Sequence, residues 1–239
     1  MPERFVGRLV TAGVLCVVLV ACSGGERAEP VPSPRSTVSG SAVDKAAVAQ
    51  AFSSYREALL AKDGRTVAAL LTAESIEYYA GMKKLALTAP ESYLRRARMS
   101  DQLAVILLRA TVPAENIRSW STTQFVIDAV RRGQQRNWNF GANLKAAAVE
   151  RMSAGTVEVS GDVGTVLVKL DGKESPVSFT FYRENGRWKF RLIPLLDATE
   201  GAFRARVQEQ HITERRLVDE SLAATLSPED IRAAWLPVG

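Results

Sequence analysis

From Ala42 onward the apolar positions recur at steps of three and four. Val48, Phe52, Tyr55 and Leu59 make one stripe, with Ala51 and Ala58 beside it. That spacing predicts a helix, which Asp63-Gly64 interrupts. A short second helix is expected near Thr66 in "TVAALLTA", and a third over "ESIEYYAGMKKLAL". Thr88-Ala-Pro-Glu91 has the form of a capping box with Pro in the first turn, where its missing N–H costs little. The helix it opens runs through "ESYLRRARMSDQLAVILLRA", with a break near Ser100. In that segment Leu103, Ile106, Leu107 and Ala110 share a stripe, yet Val105 and Leu108 sit off it. A helix apolar on most sides is a buried one. Pro113 ends it. Ser121-Thr-Thr-Gln124 is a second capping box, opening "TTQFVIDAVRRG" with Gly133 as its stop.

After Asn143 the period changes from 3.6 to 2. "LKAAAVERM" fits either pattern. Beyond it Val157 and Val159 alternate with polar residues. Val166, Val168 and Leu170 line one face of a strand, Val177, Phe179 and Phe181 the next, and Trp188, Phe190 and Leu192 a third. The connections are Gly161-Asp162, Asp171-Gly172 and Asn185-Gly186. The last two are strong hairpin signals, because Asn/Asp-Gly tolerates positive φ at both central positions. An antiparallel meander with one buried and one wet face follows. Asp197-Ala-Thr-Glu200 then reads as the cap of a long charged helix, "TEGAFRARVQEQHITERRLVDESLAATL". Its narrow stripe is Phe203, Val207, Ile212, Leu217, Val218 and Leu222. Ser227-Pro-Glu-Asp230 opens a last short helix ending near Trp235. No internal repeat is present.

The N-terminus follows different rules. "MPERFVGRLVTAGVLCVVLVAC" has a positive start (Arg4, Arg8), an apolar stretch Leu9 to Val20, and a small residue, Ala21. These are the parts of an export signal, and the stretch is short for a membrane span, which needs about 20 apolar residues. Leu19-Val20-Ala21-Cys22, with Ser23-Gly24-Gly25 after it, resembles the lipobox of bacterial lipoproteins. That resemblance implies diacylglycerol on the Cys22 thiol, cleavage just before it, and a membrane partner reached through Cys22. Cys16 would leave with the signal, so no intramolecular disulfide is expected. Residues 22–41, rich in Ser, Pro and Gly, bury too little to offset their ordering entropy and read as a disordered tether. The expected organisation is signal peptide 1–21, tether 22–41, a domain 42–196, and a C-terminal helical extension 197–239.

Composition adds bounds. At 239 residues, 46% apolar and 24% charged, the chain is globular in type. The net charge is +5; Arg4, Arg8 and Glu3 take +1 with the signal, leaving a mildly basic +4. Arg95 to Arg136 carries eight Arg against Asp101, Glu115 and Asp128. Such a run reads as solvated helix faces or as a face held toward anionic headgroups. Trp120 and Trp138 flank it, but an exported, anchored chain rarely meets nucleic acid, so no nucleic-acid partner is expected.

"AFSSYREALLAKDGRTVAALLTAES" resembles the first helix pair of the NTF2-like (SnoaL-like) superfamily, and "SFTFYRENGRWKF" resembles its last hairpin. The resemblance spans Val43 to Pro194. It implies an α+β fold, the NTF2-like cone, in which N-terminal helices pack on a curved antiparallel sheet and leave a pocket at the wide end. Tyr55, Tyr78, Tyr79, Phe179, Phe181 and Trp188 would line that pocket. Two departures stand out. Residues from Tyr79 to Asn143 hold more helix than a minimal member needs, and Asp197 to Gly239 extend past the usual last strand.

Chemistry is sparse. The lone His211 has no partner to orient it. Asp128 is better placed to pair with Arg131 or Arg132 than to act as a buried base. Tyr78 and Tyr79 are adjacent and point to different sides, and Glu77 neighbours them. There is no His or Cys pair with metal-ligand spacing, no phosphate-cradling Gly loop and no nucleophile elbow. No catalytic residues, metal or cofactor are therefore expected. The expectation is a non-enzymatic, lipid-anchored envelope protein that binds an apolar small molecule, a lipid or another envelope protein. The alternatives are a SnoaL-like isomerase, dehydratase or hydrolase using Asp128, Glu77 or a tyrosine, and a structural homodimer.

Overall fold

The computed structural model describes residues 40–135 and 146–239. The signal, Cys22, most of the tether, Trp138 and Asn143 lie outside the described residues. Ser41 caps α1 (Ala42–Leu60) by accepting the Asp44 N–H, and the helix buries Val48, Phe52, Tyr55, Ala58 and Leu59. Asp63 caps α2 (Gly64–Leu70). A Cβ at Gly64 would lie 2.5 Å from the Ile127 Cα, so this position lets two helices meet backbone to backbone. Thr72 caps α3 (Ala73–Thr88).

The capping box expected at Thr88 does not form. Thr88 Oγ1 bonds back to the Lys84 carbonyl at 3.0 Å as the last residue of α3. Pro90 opens a single turn, α4 (Glu91–Leu94), with no side-chain cap. The break expected near Ser100 falls at Arg95–Arg98, and α5 runs Met99–Thr111. Pro113 then opens α6 (Ala114–Ser119), a helix too short for its period to show in the sequence. The second box is formed in both directions. Gln124 N–H reaches Ser121 Oγ at 3.2 Å, and Ser121 N–H reaches Gln124 Oε1 at 2.7 Å. It opens α7 (Thr122–Gln135), which runs on past Gly133. The ambiguous segment resolves as α8 (Ala146–Arg151) followed directly by β1 (Met152–Ser160).

β1, β2 (Val163–Leu170), β3 (Lys173–Glu184) and β4 (Arg187–Arg191) form an antiparallel sheet in sequence order. Both Asp171-Gly172 (φ 50 and 77) and Asn185-Gly186 (φ 52 and 74) take left-handed backbone at both central residues, the type I′ pattern. One face buries Val166, Val168, Phe179, Phe181 and Phe190 under α1. The opposite face carries Thr165, Thr180, Tyr182, Lys189 and Arg191, all half-buried. At the β4 edge the Thr72 N–H donates to the Phe190 carbonyl at 3.0 Å. At the β1 edge the Gly40 N–H donates to the Val159 carbonyl at 2.8 Å.

The final long helix is two helices. α9 (Ile193–Glu209) begins before Asp197, with Pro194 in its first turn and no side-chain cap. His211 takes φ +50 and breaks the axis, and Thr213 caps α10 (Glu214–Ala223). Ser227 caps α11 (Pro228–Ala234) as expected. These helices close over α5, which is buried at every residue from Met99 to Arg109 and lies against α3, α9, α10 and α11. Everything described belongs to one compact unit, Thr37–Gly239, an α+β arrangement of helices on an open four-stranded sheet.

Candidate functional site

Tyr55, Phe179 and Phe181 do converge, and Phe190 joins them. Ring centroids are 4.5 Å apart for Tyr55–Phe190, 5.1 Å for Phe179–Phe190 and 5.7 Å for Phe181–Phe190, with Phe52 edge-on to Phe179 at 5.3 Å. These are contact distances for aromatic pairs, so the rings fill the space between α1 and the sheet. Beside them is a cavity of about 10 Å³ lined by Phe52, Tyr55, Arg56, Leu59 and Phe179 with Val149 and Met152. That holds about one water, whereas small-molecule pockets run from about 300 Å³ upward. Trp188 sits on the same buried face under the Arg183 guanidinium, 4.5 Å from the ring.

Tyr79 packs edge-on to Phe125 at 6.2 Å and lies near enough to Tyr55 for its phenol charge to oppose that of Tyr55. Burial pushes both phenols well above the ordinary tyrosine range. Both therefore stay protonated and are unfit as bases near neutrality. Tyr78 points elsewhere. Its hydroxyl donates to Asp101 Oδ1 at 2.7 Å, and burial, aided by the Asp101 charge, raises it strongly.

Asp101 is the hub of a polar cluster that joins α3, α5 and α9. Arg98 Nε donates to Asp101 Oδ2 at 3.3 Å, and Arg98 Nη1 to Asp197 Oδ1 at 2.8 Å. One turn further along α9, buried Glu200 accepts the Ser100 N–H at 3.4 Å and faces Arg204 at 3.5 Å. Every carboxylate here is matched by a donor, so the cluster reads as an interhelical lock. Sequence reasoning missed it. Tyr78 and Asp101 are separated by 23 positions and Arg98 and Asp197 by 99, and no periodicity links such pairs.

Arg109 forms a second hub. Its guanidinium, buried on α5, reaches the Leu85, Ala86 and Ala89 carbonyls at 2.8, 2.8 and 2.6 Å. It also reaches those of Ala234 and Trp235 at 3.3 and 2.8 Å. One side chain thus caps the C-termini of α3 and α11 together. Burial lowers it to about 10, which leaves it charged at neutral pH.

The remaining candidates are ordinary. Asp128 pairs with Arg132 at 2.5 Å, four residues on, and Arg132 also donates to the Thr111 carbonyl at 2.8 Å. Glu77 and His211 are exposed. Among the described residues no group of three or more His, Cys, Asp or Glu is placed to hold a metal ion, and no helix is long and apolar enough to cross a membrane. Comparison with protein-family profiles, with curated proteins and with solved structures returns no match.

Proposed function

We propose that this chain is a lipid-anchored, extracytoplasmic protein whose folded part, an elaborated NTF2-like cone, works as a binding module. The Cys22 thiol carries the diacylglycerol, and the domain presents its outer surface to a partner of the envelope. The tether, expected over 22–41, ends before Gly40, because Gly40 bonds to β1 and Ser41 caps α1. One observation carries the choice of surface over interior: Tyr55, Phe179 and Phe181, three of the residues assigned to the pocket, pack with Phe190 beside a cavity of about 10 Å³. A ligand of ordinary size has no room there without prising α1 from the sheet. The same packing weighs against the isomerase, dehydratase or hydrolase reading, because its candidate groups are exposed (Glu77), ion-paired (Asp128) or held protonated (Tyr78, Tyr79).

Mass spectrometry of the protein from its native host tests the reading, with Cys22→Ala alongside. The expected product begins at Cys22 and carries diacylglycerol, while the variant keeps its signal. A mature product that is unmodified at Cys22 and free of the membrane fraction overturns the anchored reading. Native spectra showing a stoichiometric small molecule overturn the surface reading and restore a ligand-filled cone.

A further inference from the structure

We propose that the face formed by α4, the C-terminus of α11 and the tail that follows docks on an anionic lipid bilayer. Val43, Tyr93 and Leu236 are the exposed large apolar side chains among the described residues, at 77%, 51% and 59%. Tyr93 lies on α4, and Leu236 follows the end of α11. The Arg95 guanidinium stacks on Trp235 at 4.5 Å and so holds α4 beside the end of α11. The tail then runs along the end of α3, with the Gly239 N–H on the Leu87 carbonyl at 2.9 Å. Arg118 donates to the Val238 carbonyl at 2.8 Å, and Lys83 to the Arg118 carbonyl at 3.3 Å.

The elements joined by those contacts carry several cations. Lys84, Arg96, Arg118 and Arg232 are exposed, with Lys83 and Arg95 half-buried among them. The acid on α4, Glu91, is already paired with Arg95. Glu229 and Asp230 lie at the opposite end of α11, and Glu115 lies in the first turn of α6, away from Arg118 at its end. An exposed tyrosine and leucine on elements that also carry long basic side chains suit a headgroup layer. Tyrosine rests at that level, Arg and Lys stems lie over apolar surface with their charges outward, and each cation is drawn by the surface potential. Two apolar side chains are too little area for a stable protein interface.

The inference rests on the anchored reading for the nearness of the bilayer. On that reading a tether of about 20 residues would have a mean reach of about 25 Å, which keeps the surface within range, so weak docking suffices. The vesicle test does not need Cys22, and the two readings therefore fail separately. A chain beginning at Thr37, the start of the compact unit, is sedimented with vesicles of phosphatidylcholine alone or mixed with phosphatidylglycerol. Partition onto the anionic vesicles is expected to exceed that onto neutral ones and to fall steeply with salt. Arg96→Glu with Arg232→Glu is expected to weaken it about tenfold or more. Tyr93→Ser with Leu236→Ser is expected to weaken it by a similar factor, at unchanged circular dichroism. No binding, equal partition onto both vesicles, or binding that both double variants retain overturns the proposal.

Discussion

Replacing Arg109 by Met keeps the volume of the side chain and removes all five of its donated bonds. Two of the five carbonyls retain another donor: Leu85 accepts the Ala89 N–H at 3.0 Å, and Ala86 accepts the Val238 N–H at a long 3.5 Å. The carbonyls of Ala89, Ala234 and Trp235 lose the bond from Arg109. A buried polar group left unsatisfied costs about 1–3 kcal/mol. Partial relaxation of the two helix ends, and relief from holding a charge in the interior, reduce the total. A net loss of about 3–4 kcal/mol follows, within the range for breaking one side of a buried charged network. With a urea slope of about 2 kcal/mol per molar, the midpoint should fall by roughly 1.5–2 M.

Hydrogen exchange locates the loss. The tail amides of Val238 and Gly239 and the α11 ladder should exchange faster in Arg109→Met, while the amides of α1, which Arg109 does not bond, change least. Arg109→Lys keeps the charge but replaces a planar fork by a single point donor, so it should recover less than half of the difference. A midpoint within about 0.3 M of the unsubstituted protein refutes the argument. So would a loss of protection spread evenly over the chain.

Three further outcomes follow from the packing. Arg191 holds the Glu74 carboxyl below its ordinary value of 4.5. Its folded value is therefore lower than its unfolded one, and the stability it adds is present above about pH 4.5 and lost as pH falls through the folded value. Glu74→Gln should flatten the acid limb of a stability–pH curve, and an unchanged limb would remove this pair from the account. Gly64→Ala should destabilise by about 1–3 kcal/mol in a thermal melt despite the better helix propensity of Ala, because the new Cβ would meet Ile127 backbone at 2.5 and 2.8 Å. Ending the chain after Pro194 removes buried Leu195, Leu196, Leu217, Val218, Leu222 and Trp235. The product should bind a dye for apolar surface and sediment as aggregate, and a monodisperse product would make the extension a detachable arm.

Periodicity was readable where one face of an element is buried and the other wet. The meander, its hairpin turns and the stripe on α1 all appear where the pattern places them. It misled where burial came without the matching element. Leu192 continues the alternation of Trp188 and Phe190 and is buried like them, yet it lies beyond β4 as the N-cap of α9, its N–H held by Ser75 Oγ at 2.9 Å. Period two reported that the side chain points inward and said nothing of the ladder ending. Thr88 had the letters of a cap but kept helical backbone and bonded to Lys84 instead, a local choice that depends on where α3 stops. Of the candidate residues, the sheet aromatics met because alternation and register bring them together. Tyr78 went to Asp101, for which no local rule exists.

The added helix that follows α3 and the C-terminal extension turn out to be one feature. A helix buried on every side, as α5 is, cannot rest on a sheet with its back to water, because half its buried surface would be exposed. α3 covers one flank. The other is covered by α9, α10 and α11, which lie more than eighty positions away and have amphipathic faces too narrow to stand alone. The extra helix between Tyr79 and Asn143 therefore requires the C-terminal extension, and the extension requires it in return. Arg109 on α5, closing the ends of α3 and α11 at once, is where that mutual requirement becomes chemical. Arg109 holds the end of α11 and the Arg95–Trp235 stack sets α4 beside it, so contacts that hold the fold together also join the two elements that carry Tyr93 and Leu236.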